Sequence, residues 1–163
     1  MASDFKWNPG TSNNGLTATA FNLLADTSEL ASLTNTSYVV SSVSGTSGLF
    51  SNANPAQGIW AELFLTLGAI ASSLSNGANL AGWFLQSYDA TNFEQSSVTP
   101  PRPPDFIIPL PNSTIGAGTI FKASGIILLP ALKYKVGLQN NSGQTLAASG
   151  NTLKAAPVNM QAV

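Results

Sequence analysis

The chain has 163 residues, 44% of them hydrophobic and 8% charged, with a net charge of −1. That is enough apolar material for one domain with a core, and short for two. Six Lys and Arg scattered along the chain do not form the basic patch of a nucleic-acid binder. The absence of His and Cys removes imidazole bases, thiol nucleophiles, disulfides and most zinc or copper sites.

Ordinary globular domains carry roughly 25% charged residues. Charge keeps free surfaces apart, so a chain this poor in it fits a life against other protein surface. A monomer coated with Ser, Thr and Asn is the alternative. The first ten residues, "MASDFKWNPG", mix charged and polar groups with no apolar run, so they do not read as a signal peptide.

Residues 1–27 read as an extended N-terminal arm. "WNPGTSNNG" is turn chemistry, and "LTATAFNLLAD" follows as a short apolar segment, either extended or with one or two helical turns over Ala18–Ala25. From Ser28 the pattern changes, and residues 28–163 read as one β domain. "ELASLTNTSYVVSSV" is rich in β-branched residues and predicts a strand; "GTSGLFSNANPAQG" predicts a loop.

The stretch from Gly58 to Leu85 carries Glu62 as its sole charge, but "SSLSNGAN" interrupts it. Neither half reaches the roughly 20 apolar residues of a spanning helix, and no membrane association is expected. Ile59–Ile70 predicts the strongest strand. Ala61, Leu63, Leu65 and Leu67 alternate onto one face and Trp60, Glu62, Phe64 and Thr66 onto the other. Both faces are mostly apolar, which predicts a central strand covered on each side. "SNGAN" then reads as a hairpin loop leading into a strand over Leu80–Tyr88.

Six of the ten prolines fall within Thr99–Pro111. Proline fixes φ and lacks an N–H, so "TPPRPPDFIIPLP" reads as a stiff crossover into a short edge strand, Phe106–Leu110. A PxxP ligand for an aromatic groove is the functional alternative. "AGTIFKASGIILLP", "LKYKVGLQNN" and "QTLAASGNTLKAAPV" follow as strands. Val136–Gln139 reads as a core strand, "NNSGQ" as the turn after it, and Thr145–Ala148 as the returning strand. About seven to nine short strands separated by turn residues predict an all-β fold: a single β-sandwich of Greek-key or jelly-roll type.

No catalytic constellation emerges. Of the seven acidic residues, Glu62 stands out in an apolar strand, either as a buried carboxyl or as an outward residue paired with a Lys or Arg. Asp89 and Glu94 share a loop that could hold a hard cation, but no calcium-loop pattern is present. Ser and Thr lack a base, and "TIGAGTIF" matches neither phosphate-binding nor dinucleotide-binding loops. Trp60, Trp83 and Tyr88 are either core or sugar-stacking platforms. No catalytic residue, cofactor or metal is expected.

"RPPDFIIPLP" and "FKASGIILLPALKYKVGLQNNSGQTLAASGNTLKA" together resemble small virion structural proteins of tailed bacteriophages. The resemblance covers roughly Arg102–Ala155; "AELFLTLG" and "GWFLQSYDATNFE" extend it loosely. It implies a capsid cement or decoration protein of jelly-roll type, sitting as a dimer or trimer on the outer surface of the major capsid protein shell of the virion. On that reading the arm and the proline crossover supply the interface, through Phe5, Trp7, Phe21, Leu23 and Leu24 and through Pro101, Arg102, Pro103 and Pro104. A carbohydrate- or receptor-binding β-sandwich of a phage tail or spike is the alternative.

Overall fold

The structure is a computed structural model. It describes residues 5–8, 21–24, 29–41, 60–87, 89, 91–94, 97–130 and 133–162, and leaves the side chains of 5–8, 21–24, 133 and 157–162 outside that description. Every named element among the described residues is a strand: β1 (Phe5–Asn8), β2 (Phe21–Leu24), β3 (Tyr38–Val40), β4 (Trp60–Leu67), β5 (Asn79–Ser87), β6 (Phe106–Pro109), β7 (Thr119–Lys122), β8 (Ile127–Leu128), β9 (Lys133–Asn141) and β10 (Thr152–Ala162).

The strands form two antiparallel sheets. The larger runs β1-β10-β4-β7, with β2 also on β10 and β8 also on β4; the smaller runs β3-β9-β5-β6. Leu63, Leu65 and Leu67 of β4 share one buried cluster with Leu80 and Phe84 of β5 and Val136 and Leu138 of β9. The two sheets therefore bury a common apolar layer, which is the main favourable term in the fold. Phe84 sits at its centre, with Phe106 and Tyr134 each 5.4 Å away between ring centroids.

Several elements differ from the sequence-based expectation. "SNGAN" does not close a hairpin, because β4 and β5 lie in different sheets. Ile70 bridges to Ile115 and Leu74 is buried, so the segment between them is drawn across the end of the core. Residues 31–37 are turns and irregular backbone, and among the described residues of that region only Tyr38–Val40 is strand. Ser32 and Thr36 adopt left-handed φ of 54° and 65°, which no strand accommodates. Thr145–Ala148 is likewise not a strand; the chain enters β10 at Thr152.

β4 is central, but only its Ala61, Leu63, Leu65, Leu67 face is buried; Trp60 is 40% exposed on the other. Glu62 and Lys122 form an ion pair on that face and keep it in contact with water. β5 is the strand covered on both sides. Its second face, Ala81, Trp83 and Leu85, makes a separate buried cluster with Tyr38 and Val40. The proline-rich segment leads into β6, which is an edge strand as expected.

The polar stretch after β9 is structural. The Asn140 side chain is fully buried. It donates to the carbonyls of Leu33 and Gln144, both at 2.8 Å, and accepts from the Ser142 N–H at 3.0 Å. Asn151, also fully buried, accepts from the Gly68 N–H at 3.0 Å and donates to Ala147 O at 2.7 Å and Leu30 O at 3.3 Å. Each carboxamide adds to the backbone bonds that the irregular segments make with one another. Truncating Asn140 removes the acceptor of the Ser142 N–H and truncating Asn151 that of the Gly68 N–H, while the carbonyls of Leu33 and Ala147 keep the N–H groups of Leu146 and Ser32 as donors. Asn140→Ala and Asn151→Ala should each cost about 2–4 kcal/mol, read as a lower urea midpoint, whereas the neighbouring Asn141→Ala should cost about 0.5 kcal/mol or less.

Candidate interaction surfaces

The proline crossover is fixed by one arginine. Arg102 Nε and Nη2 bind the two carboxylate oxygens of Glu94 at 2.7 and 3.0 Å, and Nη1 binds Asp105 at 2.7 Å. Nη2 also donates to the Phe84 carbonyl at 3.1 Å. The bidentate fork suits this planar arrangement, and Lys could not reproduce it. The second oxygen of Asp105 accepts from the Phe84 N–H at 2.7 Å, and the Arg102 carbonyl accepts from Trp83 Nε1 at 3.1 Å. Asp105 N–H donates to Gly82 O and Glu94 N–H to Gln86 O, so both carboxylates are also anchored to β5 through their own backbone.

This arrangement turns the guanidinium inward and the rings of Pro101 and Pro103 outward; Pro104 is half-buried. Val98 is 51% exposed beside them. Of the expected interface residues, the crossover set is thus a rigid exposed rim around an internally committed Arg102. Phe5, Trp7, Phe21, Leu23 and Leu24 lie in β1 and β2, two strands paired with the chain's own β10. Their side chains lie outside the described residues, as do residues 1–4, 9–20 and 25–27 of the expected arm.

Asp89 and Glu94 do not converge. Asp89 accepts from Ser87 Oγ and the N–H groups of Thr91 and Asn92 at 2.8–3.0 Å, and from Asn92 Nδ2 at 2.6 Å. These donors, the Asn92 N–H first, hold its carboxyl well below the usual range. Glu94 is committed to Arg102. No group of three or more His, Cys, Asp or Glu able to hold a metal ion occurs among the described residues. Trp83 is core, 3% exposed, and Tyr88 lies outside the described residues.

A second surface was not legible from any motif. On the outer face of the larger sheet the register places Trp60 beside Leu128, Phe64 between Lys154 and Lys122, and Thr66 between Thr152 and Ile120. Leu128 is 54% and Ile120 64% exposed. Lys122 also stands 5.9 Å above the Phe64 ring. The alternation of β4 separated its two faces, but the apolar content of both predicted cover on each side, and that one face stays open depended on pairing that the sequence does not carry. Comparison with family models, curated proteins and solved structures finds no match to this chain.

Tyr38 completes the buried side of the clamp. Its ring meets Trp83 edge-on at 5.9 Å and lies so close to Gly137 that a Cβ there would overlap it. Its hydroxyl is the one buried side-chain polar atom without a partner among the described residues. Burial, helped by Glu94 and opposed by Arg102, pushes the phenol up to about 12. The folded state therefore keeps its proton while the unfolded chain loses it at 10.0, so stability falls as pH rises from 10.0 towards about 12. Tyr38→Phe should leave neutral-pH stability unchanged or raise it, and should flatten that alkaline loss in urea titrations.

Arg102 holds the Glu94 carboxyl below its ordinary 4.5, against a smaller opposing effect of burial. A depressed carboxyl contributes stability that is present above 4.5 and lost as pH falls through its folded value. Arg102→Met should cost about 1–3 kcal/mol at neutral pH, since the pair is partly solvated. It should also flatten the acid limb of the stability profile. Unfolding midpoints of both proteins across the acid range test this.

Proposed function

We propose that the chain is a non-enzymatic virion structural protein of a tailed bacteriophage. It is a cement or decoration protein that binds the outer surface of the major capsid protein shell and stabilises it. The fold proposed with this role is a jelly-roll β-sandwich. The observation that carries the reading is strand order: β2-β10-β4-β7 in one sheet and β3-β9-β5-β6 in the other. Two interleaved Greek keys give this order when eight strands wrap as a double-sheet jelly roll, an architecture used in viral capsid domains.

The segments that resemble phage proteins fit a scaffold role. "RPPDF" supplies the Arg102 clamp, "LQNNSGQ" the Asn140 anchor and "ASGNTL" the Asn151 anchor. Fold by itself does not assign function; low charge and a pinned rim that exposes Val98, Pro101 and Pro103 support permanent contact with protein. The rim is the proposed shell contact. Strands β1 and β2 extend the sandwich edge along β10 rather than standing free.

A glycan- or receptor-binding role is favoured by one observation: the 40% exposed Trp60 pairs in register with Leu128, which borders a cleft of about 290 Å³ together with Gln86 and Asp105. Sedimentation with expanded empty capsids separates the two. A cement protein pellets at a fixed ratio to capsid subunits, and Val98→Asp combined with Pro103→Asp abolishes pelleting without changing the unfolding midpoint. A stable protein that stays in the supernatant overturns the cement reading, and a glycan array then tests the other.

A further inference from the structure

We propose that the outer face of the larger sheet is a self-association surface, occupied by the same face of a second copy about a two-fold axis. This deepens the reading above by naming one partner. It concerns a different surface from the proline rim.

The face is built from four strands, with β10 on one side of β4 and both β7 and β8 on the other. Trp60 and Leu128 form an apolar pair at one end, and Ile120 lies at the other beside Thr66. Phe64, half-buried, lies between them. Exposed aromatic and aliphatic side chains gathered on one flat sheet face are uncommon on a free monomer and mark contact surfaces. The surrounding chain is poor in charge, so two copies meet without strong repulsion.

Charge placement selects a second copy as the occupant. The face carries Glu62, Lys122 and Lys154. Glu62 is paired with Lys122 of its own chain. Lys154, exposed on β10, has no ion pair among the described residues. Lys154 and Glu62 sit on neighbouring strands, offset by two residues, since Lys154 faces Phe64 in register and Glu62 faces Ala156. That spacing is roughly one strand separation across and two residue rises along. A two-fold axis between the faces, running midway between these positions, brings Lys154 of each copy onto Glu62 of the other. The contact is made twice, as an isologous interface requires. The carboxylate then lies between two ammonium groups, and the apolar ends pack against the opposing sheet.

Light scattering on the purified full chain tests the proposal. The expected mass is twice the 16.8 kDa of the chain. Lys154→Glu should weaken dimerisation by about tenfold or more, and Trp60→Ser with Leu128→Ser should do the same. Adding Glu62→Lys and Lys122→Glu to Lys154→Glu should restore the dimer, because reversing all three charges keeps the internal pair and recreates the intermolecular one; circular dichroism confirms that each variant folds. A wild-type mass of one or three chains overturns the proposal, as does a dimer insensitive to both Lys154→Glu and the Trp60→Ser, Leu128→Ser pair. A monomer that still pellets with capsids would assign the face to another partner and leave the cement reading intact. A dimer that fails to pellet would do the reverse.

Discussion

Two buried carboxamides hold this fold in register. Asn140 and Asn151 flank one irregular loop after β9, and both reach back to residues 30–33, which precede β3. The segments they join have almost no regular structure, so their peptide groups have no ladder partners. In a low-dielectric interior an unsatisfied peptide group costs about 1–3 kcal/mol. A side chain with one acceptor and two donors in a plane meets this need better than any charged group, because it carries no desolvation penalty for net charge. The chain can therefore be rich in polar residues and still nearly uncharged.

Five of the charged residues are used in internal ion pairs. Arg102 draws Glu94 and Asp105 together and ties both to β5, while Glu62 and Lys122 satisfy one another across β4 and β7. Once these are committed, the surface is largely neutral. The same clamp explains how Trp83, on the far face of β5, can be buried although it lies outside the main core: its indole N–H is satisfied by the Arg102 carbonyl. The proline-rich segment is thereby stiff twice over, by its fixed φ values and by the guanidinium pinned beneath it. A segment fixed in this way loses little further entropy if it docks against another surface.

The two surfaces differ in construction. The rim is a single segment immobilised by polar contacts. The outer sheet face is assembled from β4, β7, β8 and β10, which are distant in sequence and brought together only by strand pairing. A protein that binds a shell and also pairs with itself would need two such separate surfaces.

Composition and local pattern by themselves determined a good deal. Alternation in Ala61–Leu67 specified a central strand and which residues share a face, because the side-chain period of a strand is two; it pointed to cover on both faces, and the structure covers one. Prolines around Arg102 specified a crossover and an edge strand, because proline cannot donate to a ladder. The outward, paired role of Glu62 was also open to view as one alternative. Only the tertiary structure decided the rest. "SNGAN" has hairpin chemistry, yet burial of Ile70 and Leu74 sends the chain to the other sheet. Residues 31–37 have strand composition, yet bonds from Ser32 N–H to Ala147 O and from Thr36 N–H to Asn140 O hold them as turns and irregular backbone. The inward commitment of Arg102 rests on partners 3 to 19 positions away, whereas the exposure of Trp60 rather than Trp83 depends on pairing with β8 and β10, far off in the chain. Long-range pairing of that kind has no local signature, since it is set by which surfaces can be buried together and not by the preference of any one segment.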